Sequence, residues 1–265
     1  MDRSEVRQLF IEDGVADENC KRFFSGYSAI FSWFASQQAV FVDQIQIASQ
    51  GRVKIFAFRP DNFTVHQTDY YLSCVNSNAP NIPEPLIELR ADAELWCDSF
   101  CRRTAIGGEP LLIIAPGSGT RGKNWPEVNY LQVAHWWRDQ LGGKVVVVIG
   151  PVEAERRGIE QLSSSCIVAS GLDLAQLAVL LVRCDVYVGN DSGVSHLAAA
   201  VGARTMAIFG PSDERQWAPR GQCVSVLRHH IACSPCSDTV LGLCQHRACL
   251  TQLSPDEVID QMRKL

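Results

Sequence analysis

The sequence predicts an α/β protein whose strands lie parallel in sheets covered by helices on both faces. Three observations carry this. From residue 111 onward, short runs of Val, Ile and Leu alternate with amphipathic stretches of helix length. The apolar runs are continuous, as strands buried on both faces require. Gly, Pro, Asn and Asp gather at the junctions between them. With 46% hydrophobic and 20% charged residues among 265, the chain can bury one large core or two modest ones.

The first hundred residues carry the alternation faintly. "MDRSEVRQLF" is polar and helix-like; strand "YSAIFSWF" follows, then a helix across 36–50, strand "RVKIFAF" after Gly51 and helix "HQTDYYLSCV". "NSNAPNIPEP" is a Pro-rich loop, "RADAELWCDSFCRR" reads as a helix, and "TAIGGEP" supplies a Gly/Pro hinge. The remainder is plainer: strand "LLIIA", a helix from Pro126 to Leu141, strand "KVVVVIG", helix "EAERRGIEQL" and strand "CIVAS". Helix "DLAQLAVLLVRC", strand "DVYVGN", helix "SGVSHLAAAV" and strand "RTMAIFG" come next. The last helix, "SPDEVIDQMRKL", opens with a capping box between Ser254 and Glu257. Two Rossmann-like domains with parallel sheets result, 1–105 and 106–265. The first is incomplete, because it is small for a doubly wound sheet and lacks a glycine-ended opening strand.

The apolar runs are too short to span a bilayer and the N-terminus has no signal-peptide core, so a cytoplasmic location is expected. The net charge of -5 excludes a broad nucleic-acid surface but permits a local positive pocket. Eleven cysteines, an odd number, argue against a full disulfide framework. Cys20, Cys74, Cys166, Cys184 and Cys223 read as small core residues. Cys233, Cys236, Cys244 and Cys249 form a group whose spacing suits a zinc ion, and equally a loop held by packing or by a disulfide.

In an open parallel sheet, ligands bind beyond the carboxyl ends of the strands, where helix N-termini present free N–H groups. Two loops qualify. "APGSGTRGKNWPE" follows "LLIIA" and offers glycines for close backbone approach, the Ser118 and Thr120 hydroxyls, and the charge of Lys123. "GNDSGVSH" places Ser192 and Gly193 at a helix start and His196 one turn inside, a second phosphate-facing end. Asp191, at the strand end, is suited to accept hydrogen bonds from sugar hydroxyls. Helix caps and a packed histidine are the bland alternative. A hydrolase triad of Asp191, Ser192 and His196 fails, because three residues within six positions cannot align and no G-x-S-x-G elbow is present.

"APGSGTRGKNWPE", "GNDSGVSHLAAAVGARTMAIFGPSDERQWAP" and "CSPCSDTVLGLCQHRACLTQLSPDEVI" together resemble the C-terminal half of glycosyltransferase family nine, the ADP-heptose:lipopolysaccharide heptosyltransferases. The resemblance covers about residues 105–265 closely and 25–105 more faintly. It implies a GT-B fold, with an acceptor-binding N-terminal domain and a C-terminal domain that binds the nucleotide sugar. Lys123 would neutralise the donor diphosphate, Ser192, Gly193 and His196 would contact phosphate, and Asp191 the heptose hydroxyls. No cofactor is implied. The partners would be an ADP-heptose-like donor and a lipopolysaccharide-core or other glycan acceptor, reached by at most peripheral contact at the inner face of the inner membrane. The family opens with a strand and a Gly-Asp loop bearing the base; this chain does not, and neither Asp13 nor Asp43 fits that role, so the base is unassigned. The implied activity is inverting transfer of a heptose or related sugar. A nucleotide-sugar-binding short form that transfers poorly is the alternative, and a nucleotide-sugar epimerase a third, disfavoured by the K-x-W-P and cysteine elements.

Overall fold

The run "LLIIA" becomes the centre of a six-stranded parallel sheet. The computed structural model describes residues 4–11, 17–62, 64–75, 87–150 and 158–264, and the chain divides into two units, Met1–Ile82 and Pro83–Leu265.

In the first unit, helices α1 (Ser4–Gln8) and α2 (Glu18–Ser25) precede β1 (Ile30–Ser32), α3 (Ala39–Ala48), β2 (Val53–Ile55) and α4 (Gln67–Val75). The polar opening is helical, as its composition predicts. Asp17 caps α2 by accepting from the Cys20 N–H at 2.8 Å. β1 and β2 pair in parallel, Ile30 against Val53 and Ser32 against Ile55, with α3 as the crossover. Leu9, Cys20, Phe24, Phe41, Ile45, Ala48 and Val53 form the core. Both strands are shorter than their apolar runs, because residues beyond Ser32 and Ile55 turn into aromatic-rich loops.

In the second unit, α5 (Ala91–Arg103) leads into β3 (Leu111–Ala115), a 3-10 turn (Arg121–Lys123), α6 (Glu127–Leu141), β4 (Lys144–Ile149), α7 (Glu160–Ser165) and β5 (Ile167–Ser170). There follow α8 (Leu174–Val182), β6 (Val186–Asn190), α9 (Gly193–Ala200), β7 (Thr205–Ile208), α10 (Glu214–Trp217) and β8 (Val224–Leu227). Three helices close the chain: α11 (Asp238–Leu243), α12 (Ala248–Thr251) and α13 (Pro255–Met262). The front half of the expected helix "EAERRGIEQL" lies outside the described residues. The sheet order is β5-β4-β3-β6-β7-β8, all parallel. This is the doubly wound order, in which the direction of winding reverses between the adjacent strands β3 and β6.

Alternate residues of the central strands feed two cores. Leu112, Ile114, Val145, Val147, Val186 and Val188 pack with α6 and α13. Leu111, Ile113, Ala115, Val146 and Tyr187 pack with α5, α8 and α9. Each fully buried aliphatic side chain contributes roughly 1.5–3 kcal/mol. Gly142, left-handed at φ 63°, ends α6, and the expected capping box of α13 is formed.

The compact units divide between Ile82 and Pro83, and Ala93, Cys97 and Phe100 form an i, i+4, i+7 stripe that buries α5 in the second unit's core. Cys20 is buried as expected, whereas Cys223 is exposed, in the turn before β8.

Candidate functional site

At the carboxyl ends of β3 and β6 the winding reverses, and the two loops singled out in the sequence meet there. Lys123 Nζ donates to Asp191 Oδ2 at 2.8 Å, with Lys123 29% and Asp191 10% exposed. A cation from the glycine loop and a carboxylate from the β6 end are thus held side by side.

Beneath them lies a buried clamp. Asn190, wholly buried at the end of β6, donates from its amide to the Pro116 carbonyl at 2.7 Å. Its Oδ1 accepts from the Trp125 backbone N–H at 2.8 Å and from the Tyr130 hydroxyl at 3.0 Å. One side chain therefore fixes both ends of the glycine loop to the strand that carries Asp191. Burial, with Tyr187 adding to it, pushes the Tyr130 phenol well above its ordinary value, so it remains a neutral donor. The Asn190 carbonyl accepts from Ser195 Oγ at 2.5 Å, and Ser195 also meets the Tyr187 hydroxyl at 3.0 Å. Gly189 leaves room for that phenol; a Cβ there would collide with it.

The glycine loop is braced again from within. Ser118, 6% exposed, directs its hydroxyl to the Thr120 carbonyl and Asn124 Oδ1, at 2.7 and 2.6 Å. Its hydroxyl is thus engaged within the loop as a brace, where a contact to the donor phosphate was expected. Thr120 stands just before the 3-10 turn that carries Lys123. Arg247 Nη1 donates to the Arg121 carbonyl at 3.0 Å, and Trp125 Nε1 to the Leu253 carbonyl at 3.0 Å. Gly122 abuts Leu241, whose Cδ1 would lie 2.7 Å from an added Cβ.

Ser192 begins α9 in extended conformation and forms no side-chain cap to it. The first helical bonds run from the Ser195 and His196 N–H groups to the Ser192 carbonyl, so the N–H groups of exposed Gly193 and of Val194 lie ahead of them at the open helix end. His196, also exposed, lies on the same first turn. Lys123, Asp191, Ser192 and Gly193 are thus gathered at the switch point, with His196 one turn into α9. The clamp residues Asn190, Trp125 and Tyr130, and the brace Arg247, have no role in the sequence reading. Asn190 had one signal, a polar residue closing an otherwise apolar strand, where burial obliges it to find partners.

The cysteine group lies beside this loop. Among the described residues, no three or more His, Cys, Asp or Glu side chains are placed to hold a metal ion. All four thiols are free: Cys249 is buried in the core, Cys233 is exposed, and Cys236 Sγ donates to the Cys233 carbonyl at 3.2 Å. Helices α11 and α12 and backbone hydrogen bonds, such as Cys236 N–H to the Pro211 carbonyl at 2.8 Å, hold the segment. No helix among the described residues is long and apolar enough to cross a membrane.

The model of glycosyltransferase family 9 (heptosyltransferase) matches residues 74–242. Lipopolysaccharide heptosyltransferase 2 of Salmonella typhimurium is 27% identical over 206 residues, covering 71% of this chain and 56% of that one. A family 9 glycosyl transferase from Veillonella parvula superposes with TM-score 0.69 at 23% identity, over 80% of this chain and 62% of that one. The E. coli ADP-heptose lps heptosyltransferase II does so with TM-score 0.63 at 16% identity, over 92% and 79%. The chain spans from about a quarter to just over half of the length of the curated relatives it matches. The fold class, α/β with parallel sheets, is the GT-B-like one expected. The family match takes in both loops of the switch point and well over half of the sequence, and the chain belongs to glycosyltransferase family 9, the heptosyltransferases.

Proposed function

We propose that the second unit binds a nucleotide diphosphate sugar of the ADP-heptose type, and that the protein transfers its sugar to a lipopolysaccharide-core acceptor with inversion. The pairing of Lys123 with Asp191 across the switch point carries this reading. Lys123, the Thr120 and Ser192 hydroxyls, the free N–H groups at Gly193 and the His196 ring face the diphosphate, while Asp191 accepts from the sugar hydroxyls. Ser118 keeps the loop in shape from beneath.

In the reaction an acceptor hydroxyl oxygen bonds to the anomeric carbon, the bond from that carbon to phosphate oxygen breaks on the opposite face so that the nucleoside diphosphate leaves with the electron pair, and the acceptor's proton is released to water. Charge accumulates on the departing diphosphate. The lysine and the helix end are fixed before the reaction begins, so they stabilise that charge without reorganising. Relatives named as lipopolysaccharide heptosyltransferases support the acceptor class. A membrane-borne acceptor of this class would be met by at most peripheral contact at the cytoplasmic face.

Calorimetric titration of the 265-residue chain with ADP and with ADP-heptose tests the donor site. Lys123→Ala is expected to weaken ADP binding roughly tenfold or more, at about 1.5–3 kcal/mol for a charge-assisted contact. Equal affinity in a folded variant would exclude Lys123 as the diphosphate ligand.

A further inference from the structure

In the first unit, the residues that leave the carboxyl ends of β1 and β2 form an aromatic surface. Trp33 follows β1 and Phe56 follows β2, and the Phe56 N–H continues the ladder to the Ser32 carbonyl at 2.8 Å. Their rings stack at 5.6 Å, 25° from parallel, and Tyr71 of α4 meets Trp33 at 5.0 Å. Phe34 and Phe58 at the margin are exposed.

Two polar atoms in this surface are unsatisfied. Trp33 Nε1, a donor, is buried without a hydrogen-bond partner, and so is Gln67 Oε1, an acceptor. Gln67 is only 4% exposed, and its amide nitrogen is already committed to the Phe58 carbonyl at 2.7 Å. Tyr71 links the two: it touches Trp33 and stands one helical turn after Gln67 on α4. Buried polar groups are almost always paired, so an orphan donor and an orphan acceptor around one aromatic patch mark a place completed by another molecule.

The chemistry of the three elements selects the occupant. A hydrocarbon satisfies neither orphan, and an anion would accept from the indole but be repelled by the amide oxygen. A hydroxyl both accepts and donates, as water does; what singles out a sugar is the C–H face of its ring, apolar surface that stacks on Trp33 and Phe56 while its hydroxyls reach the two orphans. We propose that Trp33, Phe56, Tyr71 and Gln67 form a sugar-ring subsite for the glycan acceptor. This rests on the transferase reading above, deepening its acceptor half.

The test follows the indole N–H resonances of the 15N-labelled full chain as a deacylated, heptose-terminated core oligosaccharide is added, with Trp33→Phe identifying the Trp33 signal. The Trp33 resonance is expected to shift saturably, and Trp33→Ala and Gln67→Leu to weaken oligosaccharide binding at least fivefold while ADP binding stays unchanged. Trp33→Phe, the least disruptive change, should also weaken it. Affinity within twofold of wild type in the folded variants, or no Trp33 shift in protein that binds ADP, would overturn the subsite alone. A Trp33 shift with decanoate but not with the oligosaccharide would overturn it in favour of an apolar occupant. Failure of ADP to bind is a separate result and removes the donor reading.

Discussion

Asp191 holds Lys123 at 2.8 Å, so the cation proposed to meet a diphosphate is already engaged by a carboxylate. A diphosphate must share the lysine with Asp191, while a sugar hydroxyl can donate to the same carboxylate. Asp191→Asn is therefore expected to leave ADP binding unchanged or a few-fold tighter, since one opposing charge about 4 Å away is worth roughly 1–4 kcal/mol before screening. It should weaken binding of the complete nucleotide sugar. Parallel titrations with ADP and ADP-heptose check the opposite signs; equal losses for both would show that Asp191 acts only through the loop.

Asn190 answers for three hydrogen bonds in a fully buried setting. Asn190→Ala leaves the Trp125 N–H, the Tyr130 hydroxyl and the Pro116 carbonyl unpaired, at about 1–3 kcal/mol each. A total loss of about 3 kcal/mol or more is expected in urea unfolding. Asn190→Asp should be comparably damaging, because it sets a carboxylate against the Pro116 carbonyl.

Gly122→Ala is expected to cost about 1–3 kcal/mol by overpacking against Leu241. Leu241→Ala in the same chain should recover part of this loss. A double-mutant cycle in thermal unfolding measures the coupling, and additive effects would show that the two residues are not in contact.

Burial lifts the Cys97 thiol to about 12, with Cys101 adding and Arg183 opposing. Burial, with Asp185 second, lifts Cys184 to about 12. Both start from 9.0, so above that pH the unfolded chain releases protons that the folded chain keeps. Stability is present in full below the unfolded value and falls as pH rises toward the folded one, by up to about 1.4 kcal/mol per pH unit per thiol. Urea midpoints measured from about pH 8 to about pH 10.5 should fall, and more gently in Cys97→Ala/Cys184→Ala.

The second unit was legible because its strands are buried on both faces and announce themselves as unbroken Val/Ile/Leu runs. β8 was not, since all four of its residues are only half-buried and no continuous apolar run marks it. The end of α5 was placed correctly, but not its allegiance: the Ala93, Cys97, Phe100 stripe declares a buried face without naming the partner. Lys123 and Asp191 stood out because charge beside glycine at strand ends is chemically conspicuous. Asn190 did not, because its role exists only once β3 and β6 are neighbours. The aromatic surface of the first unit was hidden among residues that any core could use.

The strand order has a consequence for synthesis of the chain. β3, β4 and β5 emerge from the ribosome first and can already pair with one another, yet one side of β3 awaits β6, which is made later. Until then that central strand is a temporary edge, open to pairing with the wrong partner. The closing of β6 onto β3 ends this exposure and in the same step brings Asp191 to Lys123. A nascent chain thus completes the crevice proposed for the donor when it loses its most vulnerable edge, and ADP affinity, on that proposal, reports whether the late pairing has been completed.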